Sequence, residues 1–434
     1  MTGERLTRHF ILLRALRWLP VGLVLPFLVL TPVSRGLDLG AVGAVFAVHS
    51  AVLIVLEVPS GALADTLGRR RVLLVGAALT AASLAAFAVA QTVLAFMASV
   101  AALGAGRALI SGALEAWYVD SLRALDPVAP LAHGLSRGTA AEGVAMALGA
   151  LGGGALVAFA DPSSVADGAL AGYGLAALVG AGFALVYLGA VAALVHEPPR
   201  RGAFHDAGHS ISRRVRIVFA TARAEAAASV TVRVILATAV AFGFAMSAVE
   251  LLWQPHLADL IGNGRRHGFA FGTLAAASML AVAIGAAASP RLRRGLGLRN
   301  GYLAVLGLVA LCTALLGEPD ASWAFVAIYL ITYLSYGLIE PMHAELLNEA
   351  VGSDARATLI SGESLAAQGG ALAANLTVGA LAAAQGAATA WVVAGVLLGV
   401  VGVLVAAPLR RAVDTATPRR PPAARAAAER VKHN

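Results

Sequence analysis

Twelve apolar stretches, each close to 20 residues, constrain this chain more than any other feature. They fall near 10–31, 40–63, 72–90, 93–115, 138–160, 172–195, 231–256, 268–289, 301–316, 322–344, 359–384 and 388–408. About 20 residues cross a bilayer core as a helix. Lipid offers no partner for backbone N–H and C=O groups, so a spanning segment of this kind has to be helical. Of the 434 residues, 59% are apolar and 13% charged, against about 45–50% and about 25% in soluble domains. The predicted class is an all-α membrane protein with twelve spans in two sets of six. Cytosolic enzymes, secreted modules and nucleic-acid readers are excluded. The first stretch is too long for a cleaved signal peptide, contains Arg14 and Arg17, and is followed at once by another helix. The single cysteine, Cys312, cannot form an internal disulfide.

The charges set an orientation. Twenty-five of the 32 basic residues lie at the termini and in the even-numbered connections, and three (Arg35, Arg265, Arg266) lie in the odd-numbered ones. Basic residues stay on the cytoplasmic side, so both termini and the long middle connection are expected there, in a multi-pass protein of the cytoplasmic (inner) membrane. This distribution also accounts for the net charge of +8 without a nucleic-acid partner. The expected division is a first bundle over 1–196, a cytoplasmic linker loop over 197–230, a second bundle over 231–410 and a disordered basic tail over 411–434.

The two sets repeat one another. Gly112 and Glu115 in the fourth span match Gly337 and Glu340 in the tenth, and Asp120 and Glu345 follow five residues later. Arg137, Thr139 and Gly143 before the fifth span match Arg356, Thr358 and Gly362 before the eleventh. Six helices separate the copies, so the repeat is parallel, and such folds bind solutes near the midplane between the halves.

Between the second and third spans the sequence runs Gly61-Ala62-Leu63-Ala64-Asp65-Thr66-Leu67-Gly68-Arg69-Arg70-Arg71. Asp65 sits at a helix end beside three arginines and can accept charge-assisted hydrogen bonds, forming a latch that can be made and broken. The pattern resembles the signature Gly-x-Leu-Ala-Asp-x-x-Gly-Arg-Arg of the major facilitator superfamily, in the same loop. The preceding Glu57-Val58-Pro59-Ser60 resembles the lead-in of bacterial drug-efflux-like members, the drug:proton antiporters. Residues 145–154 are similar to the superfamily's antiporter signature but lack its first glycine and its proline. The resemblance implies gating by Asp65 and Arg69, with Gly61 and Gly68 as packing positions and Glu57 beside them. It also implies alternating access, proton-coupled efflux and a monomer. The corresponding loop of the second half, 291–299, keeps its basic charge but lacks the aspartate.

Ionisable groups at membrane depth mark function by default. In the tenth span Tyr329, Tyr333, Tyr336 and Glu340 share a narrow helical face, continued by His343. In the fourth, Arg107, Ser111 and Tyr118 align beside Glu115. Glu250 and Gln254 align in the seventh, and Gln368 and Asn375 in the eleventh. These stripes are expected to line a central cavity. Glu115, Glu250 and Glu340 are the candidate proton carriers. Arg107 either works in the pathway or pairs with Glu57, Glu115 or Glu142, and Arg14 and Arg17 are expected to snorkel to the inner interface or else to line the inner vestibule. His205 and His209 stand at metal-ligand spacing, but in a polar loop without further ligands. With no phosphate-binding loop and one lysine in the chain, ATP drive is excluded within this chain. The expectation is a secondary active transporter, not an enzyme. It exchanges a small, partly apolar molecule for protons and needs no cofactor or metal. An uptake symporter, a uniporter, or a non-transporting membrane sensor or assembly factor is the alternative.

Overall fold

The computed structural model describes residues 2–159, 172–197, 211–262, 267–350 and 353–411. At positions 58, 62, 65, 211–219, 353–357, 410 and 411 the description extends to the backbone alone. The expected tail thus lies outside the described residues from 412 onward, as do His205 and His209. Among the described residues there is no strand. The helices are α1 (Gly3–Val24), α2 (Leu30–Ser34), α3 (Leu39–Leu67), α4 (Arg69–Val89), α5 (Val93–Leu125), α6 (Leu131–Phe159) and α7 (Gly174–Leu194). They continue as α8 (Ile211–Ala228), α9 (Val230–Ile261), α10 (Gly268–Leu296), α11 (Leu298–Leu315), α12 (Ser322–Ala350), α13 (Ser353–Gln385) and α14 (Ala387–Arg411). All but α2 and α8 supply the twelve segments long and apolar enough to cross a membrane. Several overrun the expected spans: α5 extends ten residues past its apolar stretch, to Leu125. The linker expected as a loop carries helix α8.

Local chemistry starts and stops these helices. Asp38, Thr92 and Ser229 cap α3, α5 and α9, each accepting from the backbone N–H three residues on. Among the described residues, three connections shrink to a single glycine; one of them, Gly386 (φ +87°), joins α13 to α14. Gly68 (φ +97°) joins α3 to α4, and Gly297 (φ +76°) joins α10 to α11. A positive φ of this size favours glycine, so the two halves turn the same corner with the same residue.

In the first half α1 packs on α6 and α7, α4 on α5 and α7, and α3 on α5. In the second, α10 packs on α12, α11 on α12 and α14, and α9 on α13 and α14. The halves meet where α3 crosses α13 and α6 crosses α10. An even number of spans puts both chain ends on one face, the terminal face. The close approaches between the halves cluster toward the opposite, distal face. A Cβ on Gly154 of α6 would sit 2.8 Å from the Gly272 Cα of α10. One on Gly43 of α3 would strike the carbonyl of Asn375, and one on Gly379 of α13 the carbonyl of Leu39. Small residues let backbones close to this range where lipid gives no hydrophobic drive between helices.

Candidate functional site

Gln254 of α9 ties the halves at the distal side. Its Oε1 accepts from the backbone N–H groups of Val29 (2.9 Å) and Leu30 (3.2 Å), and its Nε2 donates to the Leu25 carbonyl (3.0 Å). Asn375 of α13 donates to Ser50 of α3 at 3.2 Å. Below these contacts lies a cavity of about 390 Å³ lined from both halves, by Arg107, Glu250, Gln254, Gln368 and Asn375 among apolar groups that include Phe46, Phe242 and Met246. Arg107 is exposed to it. Phe242, Met246 and Ala367 also line an adjoining cavity of about 480 Å³ in the second half. That space extends to Leu347 and Asn348, near the terminal-face end of α12.

The second cavity holds a directed hydrogen-bond chain. Thr238 Oγ1 donates to the carbonyls of Val234 (2.8 Å) and Ile235 (3.0 Å), so it accepts from the Tyr302 hydroxyl at 2.9 Å. The Tyr302 proton is thereby committed, and its oxygen accepts from His343 Nδ1 at 3.0 Å. His343 Nε2 lies 2.8 Å from a Glu363 carboxylate oxygen, an ion pair when the imidazole carries both of its protons. Beside the first cavity, the buried Tyr333 hydroxyl donates to the Glu250 carboxylate.

On the terminal face, the ion pairs among the described residues stay within each half. Arg14, buried in α1, reaches Glu115 at 2.5 Å, Glu142 at 2.9 Å and the Thr139 hydroxyl at 3.2 Å. Arg69 pairs with Asp120 and donates to the Ala116 carbonyl, tying the start of α4 to α5. Arg293 pairs with Glu345, tying the end of α10 to α12. Asp120 and Glu345 are the matched acids of the sequence repeat, and each holds an arginine next to a single-glycine corner. Glu57 makes a link across the halves, accepting from Ser364 Oγ at 3.4 Å.

The sequence was also compared with known proteins. The family model described as the Major Facilitator Superfamily matches residues 10–316. The chain belongs to the Major Facilitator Superfamily. No curated protein matches it. Among solved structures it is similar to the nucleoside transporter NupG, at 13% identity and TM-score 0.73 over 94% of this chain and 99% of that one. It is likewise similar to a bacterial homolog of the human lysosomal transporter Spinster in an inward-facing, unoccupied conformation (13%, 0.72, 95% and 98%). The peptide transporter POT in complex with sulfate is a third (15%, 0.70, 94% and 95%). At these identities the likeness establishes the fold, that of superfamily transporters.

Within that fold the structure brings together Arg107, Glu250, Gln254, Gln368 and Asn375, and places Tyr336 and Glu340 on the adjoining cavity. Other expectations need correction. Tyr329 and Tyr333 do not line these cavities: they are packed in the core, Tyr329 against Trp253 (ring centroids 5.3 Å apart). A 100° step per residue finds a common face but cannot tell which neighbouring helix covers it. Tyr118 is buried inside the first half, stacked on Phe10 (4.2 Å) and bonded to Thr7 (3.0 Å). Glu115 belongs to the Arg14 network. Arg14 does not snorkel but is buried among its acids, while Arg17 lines a pocket of the first half. Arg107 has no carboxylate within 4 Å among the described residues. Gly61 is exposed and a Cβ there would meet nothing within 4 Å, so it is not a packing position here. Gly68 is buried, close to the Glu197 carboxylate. The Asp65 side chain lies outside the described residues. Sequence reasoning missed Glu363, His49 and Tyr302. Their signal was a polar or ionisable residue inside an apolar span, without a partner at helical spacing.

Proposed function

We propose that this protein is a secondary active transporter that moves a small, partly apolar molecule across the cytoplasmic membrane by alternating access, in exchange for protons. One observation carries the reading. The two halves share a cavity that carries polar groups from both, and their tight contacts gather on one face of it. Loosening the distal glycine crossings while drawing the terminal ends together would expose the same cavity to the other side. Proton coupling is supported by the approach of two ionisable groups, His343 and Glu363, to 2.8 Å, and by Glu250 at the cavity wall. Glu340, at the cavity's edge, is a further carrier, and Glu115 serves the Arg14 network. Arg69 and Asp120, with Glu57 and Asp65, form the terminal-side gate. Efflux as the direction, and a terminal face that is cytoplasmic, rest on the signature at 61–71 and on the basic residues.

The test is flux in proteoliposomes under an imposed pH gradient across a panel of diverse solutes. A solute that flows against its gradient when protons flow the other way supports the reading. Glu363→Gln is expected to lower proton-driven flux by about tenfold or more while leaving downhill exchange, as loss of one proton-transfer group does. Binding without flux for every solute that binds would reject transport.

A further inference from the structure

The first half holds a further pocket, of about 290 Å³, among α1, α5 and α7. It borders the central cavity, since Leu25, Leu28, His49 and Arg107 line both. Its polar lining is made of Arg17, Trp18, Arg107 and Tyr187 with His49 and Thr80, and contains no acid. The indole N–H of Trp18 and the hydroxyl of Tyr187 are buried and meet no hydrogen-bond partner among the described residues. Neither guanidinium has a carboxylate within 4 Å among the described residues. Instead both lie against the Trp18 ring, Arg17 at 5.3 Å and Arg107 at 5.9 Å from its centroid.

The nearest acids lie beyond ion-pair distance and make their closest contacts elsewhere. Glu142 is held by Arg14 at 2.9 Å, and Glu57 accepts from Ser364. His49 Nδ1 is spent on the Val100 carbonyl (3.1 Å), and Thr80 donates to the Gly76 carbonyl (2.9 Å). Two cations, an indole N–H and a hydroxyl therefore converge on one space with no anionic acceptor among them. Unpaired guanidinium groups inside a membrane protein are costly unless they face water or a counter-charge. The complement of this pocket is an oxyanion, which can take a guanidinium edge and a neutral donor together.

We propose that Arg17 and Arg107 form an anion subsite. It holds the carboxylate, or an equivalent oxyanion, of an organic solute whose apolar body lies in the central cavity against Phe46, Phe242 and Met246. The proposal rests on the transport reading and gives the solute its charge.

The test uses the full chain in lipid nanodiscs and one matched series: 3-phenylpropanoate, 3-phenylpropanesulfonate, 3-phenylpropanamide and 3-phenylpropylamine, by calorimetry up to about 10 mM. The two anions are expected to bind at least about tenfold more tightly than the amide and the amine, the scale of a charge-assisted hydrogen bond. Arg107→Gln and Arg17→Gln each remove that preference without changing amide affinity, and Arg107→Lys restores part of it. If an arginine variant fails to fold, Trp18→Phe and Tyr187→Phe replace it, each expected to weaken the anions a few-fold. Anions that bind no better than the amide, or variants that weaken both alike, overturn the subsite. Arginine-dependent anion binding with no flux of any solute keeps the subsite and rejects transport. Flux of a solute that is indifferent to Arg107→Gln does the reverse.

Discussion

Two arginines three residues apart in α1 have different fates. Arg14 is enclosed by two carboxylates and a hydroxyl, and Arg17 faces a pocket without acids. Removing one partner from a buried pair leaves the other charge uncompensated, which costs about 3–5 kcal/mol. Arg14→Gln is therefore expected to destabilise the protein by about 3 kcal/mol. Glu115→Gln should cost under about 1 kcal/mol, because that carboxylate is half exposed and solvent screens it. Denaturant or thermal unfolding in detergent orders the two, and equal losses would show that burial does not decide the strength of the network. Arg14 and Arg17 look alike in sequence, because a helical step places residues on a face without saying what packs there.

At the scale of elements, glycine does two kinds of work. Gly68 and Gly297 turn corners at positive φ, which is legible from their place between two long apolar runs. Gly43, Gly154 and Gly379 permit backbones from different halves to touch, and nothing in the local sequence separates them from exposed glycines such as Gly61. Gly154→Leu would force α6 and α10 apart on the distal side. Overpacking costs about 1–3 kcal/mol, enough to shift a two-state population by about 5- to 150-fold. Spin labels at the distal ends of α6 and α10 are expected to report longer distances in Gly154→Leu, while terminal-end distances shorten. Unchanged distances at both ends would mean that this crossing does not hold the state seen here.

For the whole molecule, the placement of charge carries the topology. The basic excess on the terminal side predicts that this face is cytoplasmic. The one cysteine, Cys312, is buried, so its replacement by serine gives a clean background for labelling. An impermeant maleimide applied to intact cells is expected to label Ser34→Cys, exposed at the distal face, and to reach Ala124→Cys, exposed at the terminal face, only after lysis. The reverse pattern would overturn the orientation and, with it, the direction of proton drive. A solute anion leaving while a proton enters would move two charges with the membrane potential, worth about 4.6 kcal/mol per 100 mV. That exchange is expected to quicken when the inside is made negative.

The twelve spans, the duplication and the family follow from the sequence alone. Lipid leaves a 20-residue apolar segment no alternative to a helix, and a repeat of acids and glycines survives in linear order. The composition of the cavity does not follow. Tyr329 and Tyr333 of α12 share their stripe with Glu340, yet α9 covers them. Glu363 of α13 reaches His343 of α12 only across the second cavity, and Arg17 and Arg107, 90 residues apart in the chain, line one pocket because α1 and α5 are adjacent in the fold. Helical periodicity orders residues around one axis. Which face turns to lipid, to protein or to water is decided by how the axes pack.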